Sequence, residues 1–178
     1  MTRRVLFEAD EVSRTISRLA HEIVEKNGGT KDLTLLGIRT RGAHLVRRIA
    51  AKIEGITGAA PPVGDIDVSA YRDDRSRSAE LSKKAATEVP VSVDDKTVVV
   101  VDDVIYTGRT IRAALDLISH LGNPKRILVA ILVDRGEREL PIRADIVGKN
   151  VQVANSERVN VRLRESDGID QITVKSWR

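Results

Sequence analysis

The chain has 178 residues, 41% of them hydrophobic and 31% charged, with no cysteine and a net charge of +4. That length suits one domain with a real core. The composition excludes a membrane span, a disulfide framework and a thiolate zinc site, because the longest apolar runs, Val98–Val101 and Ile127–Val133, fall far short of the roughly 20 residues that a spanning helix needs. The charged start Met1-Thr2-Arg3-Arg4 is no apolar signal core, and the lack of cysteine fits a reducing compartment, so a cytoplasmic protein is expected. Only four aromatics are present, Phe7, Tyr71, Tyr106 and Trp177. This argues against a protein that grips single strands by stacking bases. Residues 1–52 hold 11 Lys/Arg against 6 Asp/Glu, whereas the rest hold 19 against 20. The basic excess therefore sits in the first third, a distribution that suits a polyanion partner.

In chain order, Asp10–Asn27 reads as a helix, with Val12, Ile16, Leu19 and Ile23 on one face and Gly28-Gly29 as its stop. Leu33–Ile38 is a short apolar strand, and Gly42–Ile53 is a second helix. Asp65–Tyr71 alternates weakly and reads as a strand. Arg72–Ala86 is polar and is expected to be a mobile loop or exposed hairpin. Thr97–Val101 is almost purely β-branched, as a strand buried on both faces would be. Ile111–Leu121 is a helix stopped by Gly122-Asn123-Pro124, and Arg126–Val133 is another buried strand. Val159–Leu163 and Ile172–Val174 are late strands. Strands alternating with helices imply an α/β fold around a parallel sheet, whose ligands sit beyond the carboxyl ends of the strands.

The chemistry concentrates in Val98–Thr110, VVVVDDVIYTGRT. A buried strand delivers Asp102 and Asp103 to the sheet's carboxyl edge, and a short turn leads into a helix. Gly108 lets backbone N–H groups approach a phosphate, and the helix start adds free donors and a favourable dipole. Thr107 and Thr110 supply hydroxyls. The two acids suit vicinal ribose hydroxyls and favour a nearby Mg²⁺ ion. The segment is neither a P-loop nor a dinucleotide fingerprint.

These thirteen residues resemble the 5-phosphoribosyl-1-pyrophosphate (PRPP) signature of type I phosphoribosyltransferases. The likeness extends through Ile16–Glu25, Leu35–Gly42 (LLGIRTRG), Tyr71–Asp74 (YRDD) and Leu132–Asn150 (LVDRGERELPIRADIVGKN). Together these are similar to the bacterial pyrimidine-operon regulators that bind RNA, many of which are also uracil phosphoribosyltransferases. The resemblance implies a type I phosphoribosyltransferase fold over residues 1–178, a central parallel sheet flanked by helices. A small hood comes from the N- and C-terminal segments. It implies a flexible lid at about 72–90 and a pocket segment at about 133–150.

It also implies transfer of ribose 5-phosphate from PRPP to uracil. Asp102 and Asp103 would hold the ribose hydroxyls and, indirectly through PRPP, Mg²⁺. Tyr106, Thr107, Gly108, Arg109 and Thr110 would cradle the 5-phosphate. Thr40, Arg41 and Gly42 match the pyrophosphate loop, with Arg41 counted as catalytic beside the two acids, and Arg72 would reach pyrophosphate from the lid. The base pocket is expected at Val133, Asp134, Arg135 and Ile142. Glu137 and Ile146 depart from the commoner residues, His and an aromatic.

Arg14, Ser17, Arg18 and His21 fall together on the first helix, opposite its apolar face. The resemblance makes Ser17, Arg18 and His21, with Arg138, Arg143 and Lys149, an RNA surface. The partners it implies are PRPP, uracil, UMP or UTP, the leader messenger RNA of pyrimidine genes, and a second copy of the chain in a homodimer or higher form. Two rival readings remain at this point. One is a salvage transferase with no RNA role. The other is an RNA-binding regulator that keeps the nucleotide site only as a sensor.

Overall fold

In a computed structural model of the protein, residues 2–72 and 89–176 are described. The expected lid, with the Arg72 side chain and residues 73–88, lies outside the described residues.

Among the described residues, eight strands and five helices follow in order: β1 (Thr2–Phe7), α1 (Ala9–Asn27), β2 (Leu33–Ile38), α2 (Arg41–Thr57), β3 (Val63–Ile66), α3 (Ser69–Arg72), β4 (Thr97–Ile105), α4 (Arg109–Leu121), β5 (Arg126–Asp134), β6 (Ile146–Asn150), β7 (Glu157–Arg162), α5 (Arg164–Asp167) and β8 (Gln171–Ser176). Five strands form a sheet in the order β3-β2-β4-β5-β6, parallel at every pairing. The remaining three form a separate antiparallel sheet, β1-β8-β7. This second sheet is the hood expected from the two ends of the chain.

The period of two along each central strand decides the layering. Leu33, Leu35, Val99, Val101, Leu128, Ala130 and Leu132 face one way, against the apolar stripes of α1 and α2. Leu36, Ile38, Val98, Val100, Val129 and Ile131 face the other way, against Ile111, Ala114, Leu117 and Ile118 of α4. A strand covered on both faces has no reason to alternate polar with apolar, hence the pure VVVV run. The hood joins the first of these layers through Val159, Val161, Ile172 and Val174.

Two local features correct the sequence reading. The expected strand Asp65–Tyr71 is divided: β3 ends at Ile66, and the Asp67 carboxylate accepts from the Ser69 N–H at 2.9 Å and the Ser69 hydroxyl at 2.7 Å. That local capping turns the chain into α3. Strand β4, expected to stop at Val101, runs on to Ile105, with Asp102 opposite Ile131 and Val104 opposite Val133. Sheet register therefore fixes the acids that the strand delivers.

The hood docks on α2 through charges. The Arg48 guanidinium donates to Asp170 at 2.8 Å through both terminal nitrogens, and to Glu165 at 2.7 and 2.5 Å. His44 meets the Ser166 hydroxyl at 2.9 Å. These contacts hold β7 and α5 over the carboxyl end of β4.

Candidate functional site

A cleft of ≈ 590 Å³ opens where the carboxyl ends of β2 and β4 meet the hood. Its floor is Asp102, Asp103, Val104 and Ile105. One wall is Arg39, Thr40 and Arg41, and the next is Tyr106, Thr107, Gly108 and Thr110. The hood closes it with Glu157 to Val161, beside Arg135 and Asn155. Most of the residues expected to bind PRPP thus converge from two separate stretches of sequence.

Asp102 is buried, and its carboxylate accepts from the Asp103 N–H at 2.9 Å. The Asp103 carboxylate accepts from the Val104 N–H at 2.9 Å. Burial pushes the Asp103 carboxyl above its ordinary value, against the opposing pull of Asp102, the Val104 N–H and the Arg41 charge. A cation or ribose hydroxyls arriving at this floor would favour the ionised form. Among the described residues no group of three or more His, Asp and Glu gathers as a metal site.

The turn after β4 is shaped for an anion. Gly108 caps α4 with φ of 94°, a left-handed conformation that glycine adopts without strain. The Thr107 carbonyl accepts from the Glu139 and Leu140 N–H groups at 3.0 and 3.1 Å, so the segment after β5 buttresses the turn. Arg109 is placed differently from the expectation. Its guanidinium pairs with Glu139 at 2.7 Å, exposed, and it does not line the cleft. At the first position of the helix the side chain points outward while the backbone serves the turn.

Thr40 and Arg41 stand at the start of α2, after a cis Arg39–Thr40 peptide bond. Arg41 donates to both Asp167 oxygens, at 3.1 and 3.2 Å, and its buried Nε has no partner. Gly42 does not line the cleft. A Cβ there would lie 2.5 Å from the Val101 carbonyl oxygen and 3.3 Å from the Asp102 Cα. Its role is to let α2 start hard against the end of β4, which sets Arg41 beside the acids. Gly42→Ala is therefore expected to lower Tm by several degrees. Thermal melts check this, and an unchanged Tm would show that the contact relaxes freely.

Of the expected base pocket, only Arg135 borders the cleft. Its guanidinium lies 3.8 Å from the Tyr106 ring centroid, and its Nε is buried without a partner. Val133 is in the core, the Asp134 carboxylate accepts from Arg138 at 2.6 Å, and Ile142 packs under Gly108. Sequence reasoning did not single out Arg39, Asn155, Glu157, Arg158 or Asn160, which line the cleft. The polar alternation of Arg158 and Asn160 in β7 was the only available signal.

The expected RNA residues divide. On α1, Arg14 and His21 are exposed and have no partner among the described residues, while the Ser17 hydroxyl donates to the Ser13 carbonyl at 3.2 Å. Arg18 spans from Glu22, at 2.6 Å, to the Val147 and Gly148 carbonyls of β6. Lys149 of the same strand reaches Glu11 at 3.7 Å. The helix face and β6 thus form one surface. Arg138 is elsewhere, donating to the Ile142, Tyr106 and Gly136 carbonyls as well as to Asp134. Four acceptors leave its guanidinium a structural tie of the segment after β5. Arg143 is exposed.

A parallel sheet whose central strand ends in paired acids above a glycine-capped helix, roofed by a hood, defines the class, and the phosphoribosyl transferase domain family matches residues 6–163. Two solved hypoxanthine phosphoribosyltransferases share the fold. The one from Trypanosoma cruzi has a TM-score of 0.73 at 18% identity, covering 98% of this chain and 97% of that one. The one from Staphylococcus aureus has 0.72 at 18%, covering 98% and 92%. Much closer in sequence is the "Bifunctional protein PyrR" of Chloroflexus aurantiacus, 53% identical over 95% of this chain and 93% of its own. The protein of that name from Clostridioides difficile is 50% identical over 96% of each. The chain belongs to the PyrR family.

Proposed function

We propose that the protein transfers ribose 5-phosphate from PRPP to uracil, giving UMP and pyrophosphate, and that it binds the leader RNA of pyrimidine genes in response to UMP. The observation that carries the first part is the convergence of Asp102, Asp103, Arg41 and the Tyr106–Thr110 turn on one cleft.

The roles follow from chemistry and position. The backbone N–H groups and hydroxyls of Thr107 to Thr110 take the 5-phosphate at the start of α4. Asp102 and Asp103 accept from the two ribose hydroxyls. Thr40 and Arg41 hold pyrophosphate. An unpartnered buried donor costs about 1–3 kcal/mol, so the Arg41 Nε gains from a phosphate oxygen. Asp102 and Asp103 would hold a Mg²⁺ ion indirectly, through PRPP, and its charge would help neutralise the pyrophosphate leaving group. The bond from C1 to the pyrophosphate oxygen breaks with its electron pair leaving on pyrophosphate. The ribose ring becomes cationic, uracil N1 bonds to C1, and the N1 proton is lost. No protein nucleophile is needed. The acids lie near the developing positive charge and stabilise it, and the cleft holds the reactants in line.

The second part rests on the α1–β6 surface. Arg14 and Lys149 on this surface, and Arg143 in the segment before β6, offer cations to phosphates, and His21 and Ser17 are placed to meet bases of a folded loop. Arg18 and Arg138 order this surface and its neighbouring segment from behind. UMP tightens RNA binding only if it favours the RNA-competent state. Mixing uracil, PRPP and Mg²⁺ is expected to release pyrophosphate, and UMP is expected to raise leader-RNA affinity severalfold. Pyrophosphate release with no RNA retention would leave a salvage transferase. RNA retention without pyrophosphate release would leave a sensor.

A further inference from the structure

The register of the hood sheet sets three cations in a row. Arg3 stands opposite Lys175, and Lys175 opposite Arg158. Directly paired residues of an antiparallel sheet share a face. The other face is the apolar one, which carries Val159, Val161, Ile172 and Val174 into the core. The only acid in the three strands, Glu157, falls on that other face, 3.9 Å from Arg4. Like charges directly opposite each other destabilise a sheet. Arg3 and Arg158 are exposed and Lys175 is half-buried, and none of the three has a hydrogen bond or ion pair among the described residues.

The acids of the hood are used elsewhere. Asp167 takes Arg41, and Glu165 and Asp170 take Arg48. The hood's negative charge thus faces α2, and its outer row is left uncompensated. The row spans two inter-strand spacings, about 10 Å, an extended shape that suits a linear polyanion more than a single phosphate. It also adjoins the cleft already described. Arg158 borders the nucleotide cleft.

We propose that the Arg3–Lys175–Arg158 row is a second contact for the phosphate backbone of RNA, lying on the outer face of the hood and ending at the mouth of the cleft. This rests on the RNA reading given above. It gives the nucleotide a short physical route to the RNA, because one residue of the row touches the chamber that the nucleotide fills.

The test uses the full chain with Arg3→Gln and Lys175→Gln together, since neither borders the cleft. The probe is the leader RNA upstream of the pyrimidine genes in the protein's own genome, titrated from 50 to 200 mM salt. Affinity is expected to fall about tenfold and the slope of log K against log salt by about 1.5, as two phosphate contacts are lost. UMP formation is expected to be unchanged, and Tm unchanged or slightly raised because like charges are removed. Full affinity and slope in this variant, with RNA binding lost in Arg14→Gln/Lys149→Gln, would overturn the hood contact and leave the α1–β6 surface standing. A change in oligomeric mass with full RNA affinity would mark the row as a contact between copies and overturn it too. Failure of the unaltered protein to retain the RNA would sink the broader RNA reading, and this contact with it.

Discussion

Asp102→Asn combined with Asp103→Asn is expected to lower kcat/KM for UMP formation by about a thousandfold, because two charge-assisted hydrogen bonds to ribose at about 2 kcal/mol each amount to about 4 kcal/mol. The loss is expected mainly in kcat, because stabilisation of a cationic ribose is realised in the transition state. The fold is expected to survive. Burial already raises the Asp103 carboxyl, so its ionised form is disfavoured by folding. That cost is present above the folded-state value and vanishes as pH falls through it toward the unfolded value. Removing the charge should therefore leave Tm at neutral pH unchanged or higher, with the difference shrinking in acid. Pyrophosphate-release kinetics and thermal melts across pH check both halves. Activity within tenfold of the unaltered protein would remove the acids from the reaction.

Arg48→Ala is expected to loosen the hood. One guanidinium serves Asp170 and Glu165, and its own pKa is raised by the Asp170 hydrogen bonds first and those of Glu165 second. Removing it leaves two carboxylates unpaired close to Asp167. Fully buried, such a loss costs about 3–5 kcal/mol; with partial exposure and screening, about 2 kcal/mol is expected, or a fall of about 6 °C in Tm. Hydrogen bonds from Arg48 hold Asp170 and Glu165 below the ordinary carboxylate range. Burial pulls Asp167 upward, but the Leu163 N–H and the Arg41 charge outweigh it and leave it low. Groups with lowered folded-state values stabilise the protein fully above their unfolded values and lose that stabilisation as pH falls through the folded ones. The Tm gap between the two proteins should thus be full at neutral pH and close in acid. Differential scanning calorimetry across pH decides it, and a gap that persists in strong acid would assign the stabilisation to packing of the Arg48 stem.

The core was legible because local and global signals agreed. Leu33–Ile38 matches β2 at both ends, since an unbroken apolar run between turn residues has few alternatives. The α1 stripe and its glycine stop were equally readable, with Gly28 at φ of 72° and its N–H bonded to the Glu25 carbonyl at 3.1 Å. The strands β1 and β6 were missed. Thr2–Phe7 carries two arginines, and Ile146–Asn150 carries a glycine and a lysine. Only their partners, β8 and β5, make these segments strands. The floor of the site was readable because Asp102 and Asp103 are contiguous with the strand that buries them. The roof was not. Arg158 and Asn160 reach the cleft through sheet pairing and the Arg48 clamp, neither of which leaves a local pattern. Arg109 and Arg138 show the converse, since charge in a motif suggested a ligand contact, while backbone carbonyls and acids of the adjoining segment claimed the guanidinium.

The central claim is that a ribose bearing phosphates docks where β4 hands over to α4. A crystal structure with UMP bound tests it most directly. The account predicts the 5-phosphate on the backbone N–H groups of Thr107 to Thr110, and the ribose hydroxyls within hydrogen-bond distance of Asp102 and Asp103. UMP held elsewhere, with that turn and both acids untouched, would contradict it.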